Sequence, residues 1–197
     1  MPDITNIQGS NYHNQGKVQD AHALLELIKG CIAWNRSAQR QLYETYAPIA
    51  YNIIRRYVYK DEAAQEVLND SFYKIFIHLD QYSWQGPFEA WMRKIIVNTI
   101  TDYIRKYVRY ERESRGEVGV DDVWLENEAV SNLSFKELVD YTFRLPDLQR
   151  TVFNLNVFEQ MSHKEIAKSL NISEGNSRWI LNDARKRLKL LIQSYVK

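Results

Sequence analysis

Residues 162–181 read SHKEIAKSLNISEGNSRWIL, and after Asn182 and Asp183 the chain continues as ARKRLKLL through Leu191. Ser162 is a good helix N-cap, and Glu165 stands three residues on, the spacing of a reciprocal capping box. Ile166, Ala167 and Leu170 fall on one helical face. Asn171 suits the left-handed residue that ends a helix, and Ser173 is placed to cap the next one. Ile172, Ile180, Leu181, Ala184, Leu188 and Leu191 supply an inner face for that second helix. Two short helices across a tight turn form a helix-turn-helix, which can put its second helix in a DNA major groove.

The outer face of that helix holds the candidate duplex-reading residues Ser173, Glu174, Asn176, Ser177, Arg178 and Trp179. Asn pairs with adenine edges, and Arg with guanine or phosphate. Arg185 and Lys186 lie further along and suit phosphate contact. Two or three reading residues cannot hold a specific site alone in a genome, so this element needs a partner. A plain helical hairpin with a solvated basic face is the bland alternative.

Working outward, helices are expected at 135–143, 147–157, 162–170 and 174–194, with Leu145–Pro146 ending the first. Upstream, Lys17 onward repeats apolar residues at three- and four-residue steps (Leu24, Leu25, Ile28, Ile32). A second segment places Leu42, Tyr46, Ile49, Ile53 and Tyr57 on one face, and Pro48 could kink or split it. A third runs from Asp61 to Leu79. Its polar and acidic residues, among them Glu66, Asn69 and Asp70, leave a face for another protein or for solvent. A long helix from about Phe88 to Tyr110 has Phe88, Trp91, Ile95, Thr99 or Ile100, and Tyr103 as its expected inward set. It also carries Asn98, Thr101, Asp102, Arg105, Lys106 and Arg109, interleaved with tyrosines. Cations that track a backbone beside rings that stack on bases suit opened DNA; the plainer account makes the rings core and the charges solvated.

The expected fold is all-α, with two small helical domains joined by a flexible acidic linker, the second containing the helix-turn-helix. The divisions fall at 1–16 (flexible leader), 17–112, 113–134 (linker) and 135–197. Net charge is only +1, but its distribution is uneven. Glu117–Glu128 holds five carboxylates and no Lys or Arg, while residues from Phe135 onward hold eleven basic and seven acidic side chains. Cys31 is the sole cysteine and the four histidines are scattered, so no zinc-site spacing exists. There is no Gly-rich phosphate loop and no nucleophile with a base and an orienting group. No enzyme activity and no cofactor are expected. No apolar run approaches the roughly 20 residues that span a bilayer, and no signal peptide is apparent, so membrane insertion is not expected and the chain reads as cytoplasmic.

Two stretches carry a family resemblance. AQEVLNDSFYKIF (Ala64–Phe76), followed by FEAWMRKIIVNTITDYIRK (Phe88–Lys106), and LPDLQRTVFNLNVFEQMSHKEIAKSLNISEGNSRWILNDARKRL (Leu145–Leu188) together resemble the bacterial RNA polymerase sigma factors of the extracytoplasmic-function class. The resemblance implies that 17–112 is a region 2-like domain and 135–197 a region 4-like domain. Segment 64–76, with Glu66, Asn69, Asp70 and Tyr73, would bind core RNA polymerase. Segment 88–112 would recognise and help melt the minus-ten element of promoter DNA, with the turn after Leu79 approaching a flipped base. Arg178 and its neighbours would read the minus-thirty-five element as duplex. The acidic linker would thread toward the RNA exit path, and control would fall to an anti-sigma protein. The chain departs from the family at Asn176–Ser177, where Thr-Val is frequent, at Trp179–Ile180, where Ser-Arg is frequent, and at Asp183, where Arg is frequent. Trp179 could pack inward or against a thymine methyl. Two other readings stand beside this one. A helix-turn-helix regulator acting as a homodimer would account for 135–194 without needing the 88–112 helix. A helical interaction protein would bind no DNA.

Overall fold

The computed structural model describes residues 14–115 and 135–195, with side chains over 22–106 and 139–193. All regular structure among these residues is helical: α1 (Asn14–Ile32), α2 (Arg36–Ile54), α3 (Asp61–Ile77), a 3-10 turn (Leu79–Gln81), α4 (Phe88–Arg115), α5 (Phe135–Thr142), α6 (Asp147–Val157), α7 (His163–Leu170) and α8 (Glu174–Tyr195). The proposed leader and acidic linker lie largely outside the described residues. Their edges shift inward, because α1 begins at Asn14 and α4 runs on to Arg115.

In the N-terminal helical region α2 is the central column, packing on α1, α3 and α4. Asn35 caps it by accepting from the amides of Ser37 (2.9 Å) and Ala38 (3.2 Å). Gly30 lets α1 approach closely, since a Cβ there would sit 2.8 Å from the Cβ of Ala38. Pro48 neither splits nor ends α2, which continues to Ile54. The inward phase of α2 differs from the expected one. Leu42, Tyr46, Ala50, Ile53 and Ile54 are buried while Ile49 is exposed, and Tyr57 is buried beyond the helix end.

The long α4 is enclosed on more than one side, because α2 and α3 pack on it from its own region and α6 and α7 from the other. Phe88, Met92, Ile96, Val97, Thr99, Ile100, Thr101 and Ile104 are buried. Trp91, Ile95 and Tyr103, expected inside, are only partly so. The Trp91 ring stacks on Phe88 (5.6 Å between centroids) and lies near Tyr82 (5.6 Å), so it packs with the protein's own aromatics.

The C-terminal region closes around Val152, Leu155, Ile166, Leu170, Ile180, Leu181, Ala184 and Leu188. The local signals in its sequence are realised. The Ser162–Glu165 capping box forms with both bonds present, and Asn171 adopts φ 55°, ψ 48°. The Ser173 hydroxyl accepts from the Asn176 amide at 3.0 Å.

Candidate nucleic-acid and polymerase interfaces

On α3, Glu66, Asn69, Asp70 and Tyr73 are all exposed. Their spacing of three, four and seven residues puts them on one stripe of the helix. The opposite stripe, Ala64, Val67, Leu68, Ser71, Phe72 and Ile75, is buried. A solvent-facing edge with an aromatic ring 65% exposed suits docking of another protein surface.

On α4 the candidate residues divide. Asn98, Arg105 and Lys106 are exposed. Thr101 is not a surface residue: it is 2% exposed, and its hydroxyl donates to the Asn98 carbonyl at 2.8 Å. Asp102 pairs with Lys74 (3.0 Å) and Arg105 (3.3 Å), so it ties α4 to α3 and orients a cation. The side chain of Arg109 lies outside the described residues.

On α8, Arg178 and Arg185 are exposed, with Glu174, Asn176 and Lys186 half-buried. Glu174 pairs with Arg178 one turn on (2.5 Å), holding the guanidinium over the first turn. Ser177 was expected outside, but it is wholly buried and its hydroxyl lies 3.0 Å from Nδ1 of His163. It joins α7 to α8 across the turn. Burial, followed by the Arg178 charge, holds the His163 imidazole below its ordinary value. Trp179 is partly buried against the core, so its ring packs inward. Asp183 accepts hydrogen bonds from Gln149 and, at 2.9 Å, from Arg187. The frequent arginine is thus replaced by an internal brace.

Sequence reasoning missed a set of residues that join the two helical regions. The buried Arg150 donates to the Tyr57 carbonyl (2.9 Å) and to Asp147 (2.6 Å). Asn154 donates to the Arg56 carbonyl at 2.7 Å. These carbonyls follow the C-terminal end of α2, where backbone acceptors lack helical partners and positive charge is favourable. Glu159 receives a two-point bond from Arg93 (Nε 2.6 Å, Nη2 2.9 Å), and the Tyr57 hydroxyl reaches it at 3.3 Å. Burial, then the Glu159 charge, pushes the Tyr57 hydroxyl well above its ordinary range. Arg105 donates to the Ser169 carbonyl at the C-terminal end of α7 (2.6 and 3.1 Å). The acceptors are mostly backbone carbonyls, which have no residue signature to find. Among the described residues no His/Cys/Asp/Glu cluster could hold a metal ion, and no helix is long and apolar enough to cross a membrane.

A helical fold with a capped helix-turn-helix and a second basic, aromatic helix is that of a nucleic-acid-binding protein with a protein-docking face. The family models agree and are more specific: Sigma-70 region 2 matches residues 42–110, and Sigma-70, region 4 matches residues 138–188. The chain is 26% identical over 152 residues to the ECF RNA polymerase sigma factor SigM of Bacillus subtilis, covering 77% of this chain and 93% of that protein. It is 30% identical over 142 residues to an RNA polymerase sigma-E factor of Streptomyces avermitilis, covering 71% and 76%. Among solved structures, the sigma factor RpoE of Bartonella quintana, in complex with the anti-sigma factor NepR, matches with TM-score 0.46 and 20% identity over 78% of this chain and 96% of that one. The chain belongs to the extracytoplasmic-function subfamily of sigma-70 RNA polymerase sigma factors. It binds core RNA polymerase and directs promoter recognition, and it is not an enzyme.

Proposed function

We propose a division of labour between the two regions. Residues 17–112 form a region 2-like domain that docks on polymerase through Glu66, Asn69, Asp70 and Tyr73 of α3. The same domain engages and helps melt the minus-ten element through Asn98, Arg105, Lys106 and Arg109 of α4. Residues 135–197 form a region 4-like domain whose Glu174, Asn176, Arg178, Arg185 and Lys186 meet the minus-thirty-five duplex. Ser173, Thr101 and Asp102 act indirectly, by capping a helix, bracing a helix and orienting Arg105. The protein works in the cytoplasm, and an anti-sigma protein holds it in check.

The observation that carries this reading is the exposed α3 stripe on a helix that packs on α4 and is tied to it through Lys74, Asp102 and Arg105, with a separate helix-turn-helix in the other region. Polymerase and opened DNA would then be bound by neighbouring helices of one body. Melting needs no nucleotide hydrolysis, because favourable binding of the exposed bases can offset unstacking of a few kcal/mol per step.

Reconstitution with core polymerase and a randomised promoter library tests it. Run-off transcripts should start at a defined promoter class, and permanganate should modify thymines around minus ten. Glu66→Ala with Tyr73→Ala should weaken polymerase binding, while Arg178→Ala should leave it intact. If both sets of variants lowered polymerase binding equally, the assignment of α3 would fail.

A further inference from the structure

The outward side of α8 is fixed by what the helix buries. Ser177, Ile180, Leu181, Ala184 and Leu188 are buried, and at about 100° per residue the side opposite them carries Gly175, Asn182 and Lys186. Arg178 borders that strip and is exposed. Gly175 contributes no side chain, and a Cβ built there would meet no protein atom within 4 Å. Trp179 packs against the core. Asp183 is taken up by Gln149 and Arg187, and Asn176 shares its flank of the helix. Lys186 lies a turn further on, among the cations that suit phosphate. Arg178 and Asn182 are therefore the groups in the middle of this side that can tell one base from another.

Asn182 is half-buried, and among the described residues its carboxamide has no hydrogen-bond partner. The carboxamides of Gln149, Asn154 and Asn156 each donate within the fold, so an unengaged one is not the habit of this region. Asparagine is also a poorer helix former than Ala, Lys or Glu, and here no cap or cross-helix bond offsets that. The group offers an acceptor and two donors on one planar edge. That is the pattern that pairs with N6 and N7 of adenine in the major groove.

We propose that Asn182 is a base-reading residue of α8. It takes an adenine of the minus-thirty-five duplex, one or two base pairs from the guanine read by Arg178. The four residues between the two side chains advance about 6 Å along the helix, close to two base-pair steps of about 3.4 Å. The inference deepens the assignment of α8 to that duplex and rests on it.

The test uses the full chain and a duplex carrying the minus-thirty-five sequence recovered from the randomised promoter library. Each adenine is replaced in turn by 7-deazaadenine, which lacks the N7 acceptor, and affinity is read by fluorescence anisotropy at fixed salt. One replacement should weaken wild type about tenfold. Asn182→Ala should lose about the same on the unmodified duplex and be indifferent to that replacement. Asn182→Asp should change the preferred base there from adenine to cytosine, whose N4 amino group donates to a carboxylate. Such a switch can come only from a folded protein. Gln193→Ala, exposed near the end of α8, should leave both affinity and preference unchanged. Wild type and Asn182→Ala responding alike to every replacement, an equal loss for Asn182→Ala on an unrelated duplex, or an unaltered preference in Asn182→Asp would each overturn the inference. Arg178→Ala separates this from the wider reading: if it loses sequence preference while the Asn182 variants keep theirs, only the role of Asn182 fails, and if it too keeps the wild-type preference, the assignment of α8 fails.

Discussion

α4 and α8 are the two long basic helices of the chain, and they are built in opposite ways. α8 packs on helices of its own region, so Arg178 and Arg185 remain open, while Glu174 and Asn176 are half-buried, Ser177 is buried and Trp179 packs inward. α4 is packed on by both regions, and much of its apparent surface is in use: Thr101 is buried, Arg93 is bonded to Glu159 and Arg105 to Ser169. Counting cations along a helix therefore measures an available surface only where the helix has a single packed side. The first turn of α8 presents Arg178 whether or not the two regions touch, whereas Arg93 and Arg105 of α4 are taken up by that contact.

The sharpest way to break this comparison is to collapse one side of it. Ile166→Ala empties a wholly buried position between α7 and α8 and should cost about 2–5 kcal/mol. Urea unfolding followed by circular dichroism should show the loss, and minus-thirty-five duplex binding should fall while polymerase binding through α3 persists. Arg178→Ala should cost about 1–3 kcal/mol in binding the minus-thirty-five duplex, measured by fluorescence anisotropy at fixed salt. The Glu174 carboxylate that Arg178 now neutralises would add repulsion toward DNA. Arg105→Ala with Lys106→Ala should spare that duplex affinity and slow open-complex formation about tenfold, roughly 1.4 kcal/mol, read by permanganate reactivity over time. Comparable defects of both variants in both assays would erase the distinction between the helices.

Smaller effects refine the α7–α8 side. Ser162→Ala removes the reciprocal cap and should lower stability by about 1 kcal/mol, visible as a reduced melting temperature. A pH effect follows from His163. Its folded value lies below the ordinary 6.5, chiefly through burial, so the unfolded chain takes up the proton first. Its stabilising contribution is complete above about 6.5 and fades as pH falls toward the lowered folded value. Unfolding between pH 7.5 and 5 should show this slope, and His163→Asn should flatten it.

How far the sequence could be read follows from how local each determinant is. The helix-turn-helix was legible because its caps, its left-handed Asn171 and its turn are set by neighbours within a few residues. The α3 stripe was legible because one side of that helix is apolar and the other is not. The phase of α4 was misjudged at Met92, Ile96 and Thr101, since a helix covered from two directions has no single apolar stripe. Ser177 was misplaced because a short polar side chain facing a histidine one helix away looks the same in sequence as one facing water. The joint between the two regions was invisible because Arg56, Tyr57 and Ser169 contribute carbonyl oxygens, which every residue has.

Pro48 leaves one more consequence within α2. Lacking an amide hydrogen, it takes away the rung that would tie it to Glu44, in the middle of the column on which the N-terminal helices lean. Burial of Tyr46 and Ala50 on either side of it helps to hold the backbone there. Local breathing of α2 should begin at this missing rung, and deuterium uptake should reach the amides around it before those near Leu42 or Ile53.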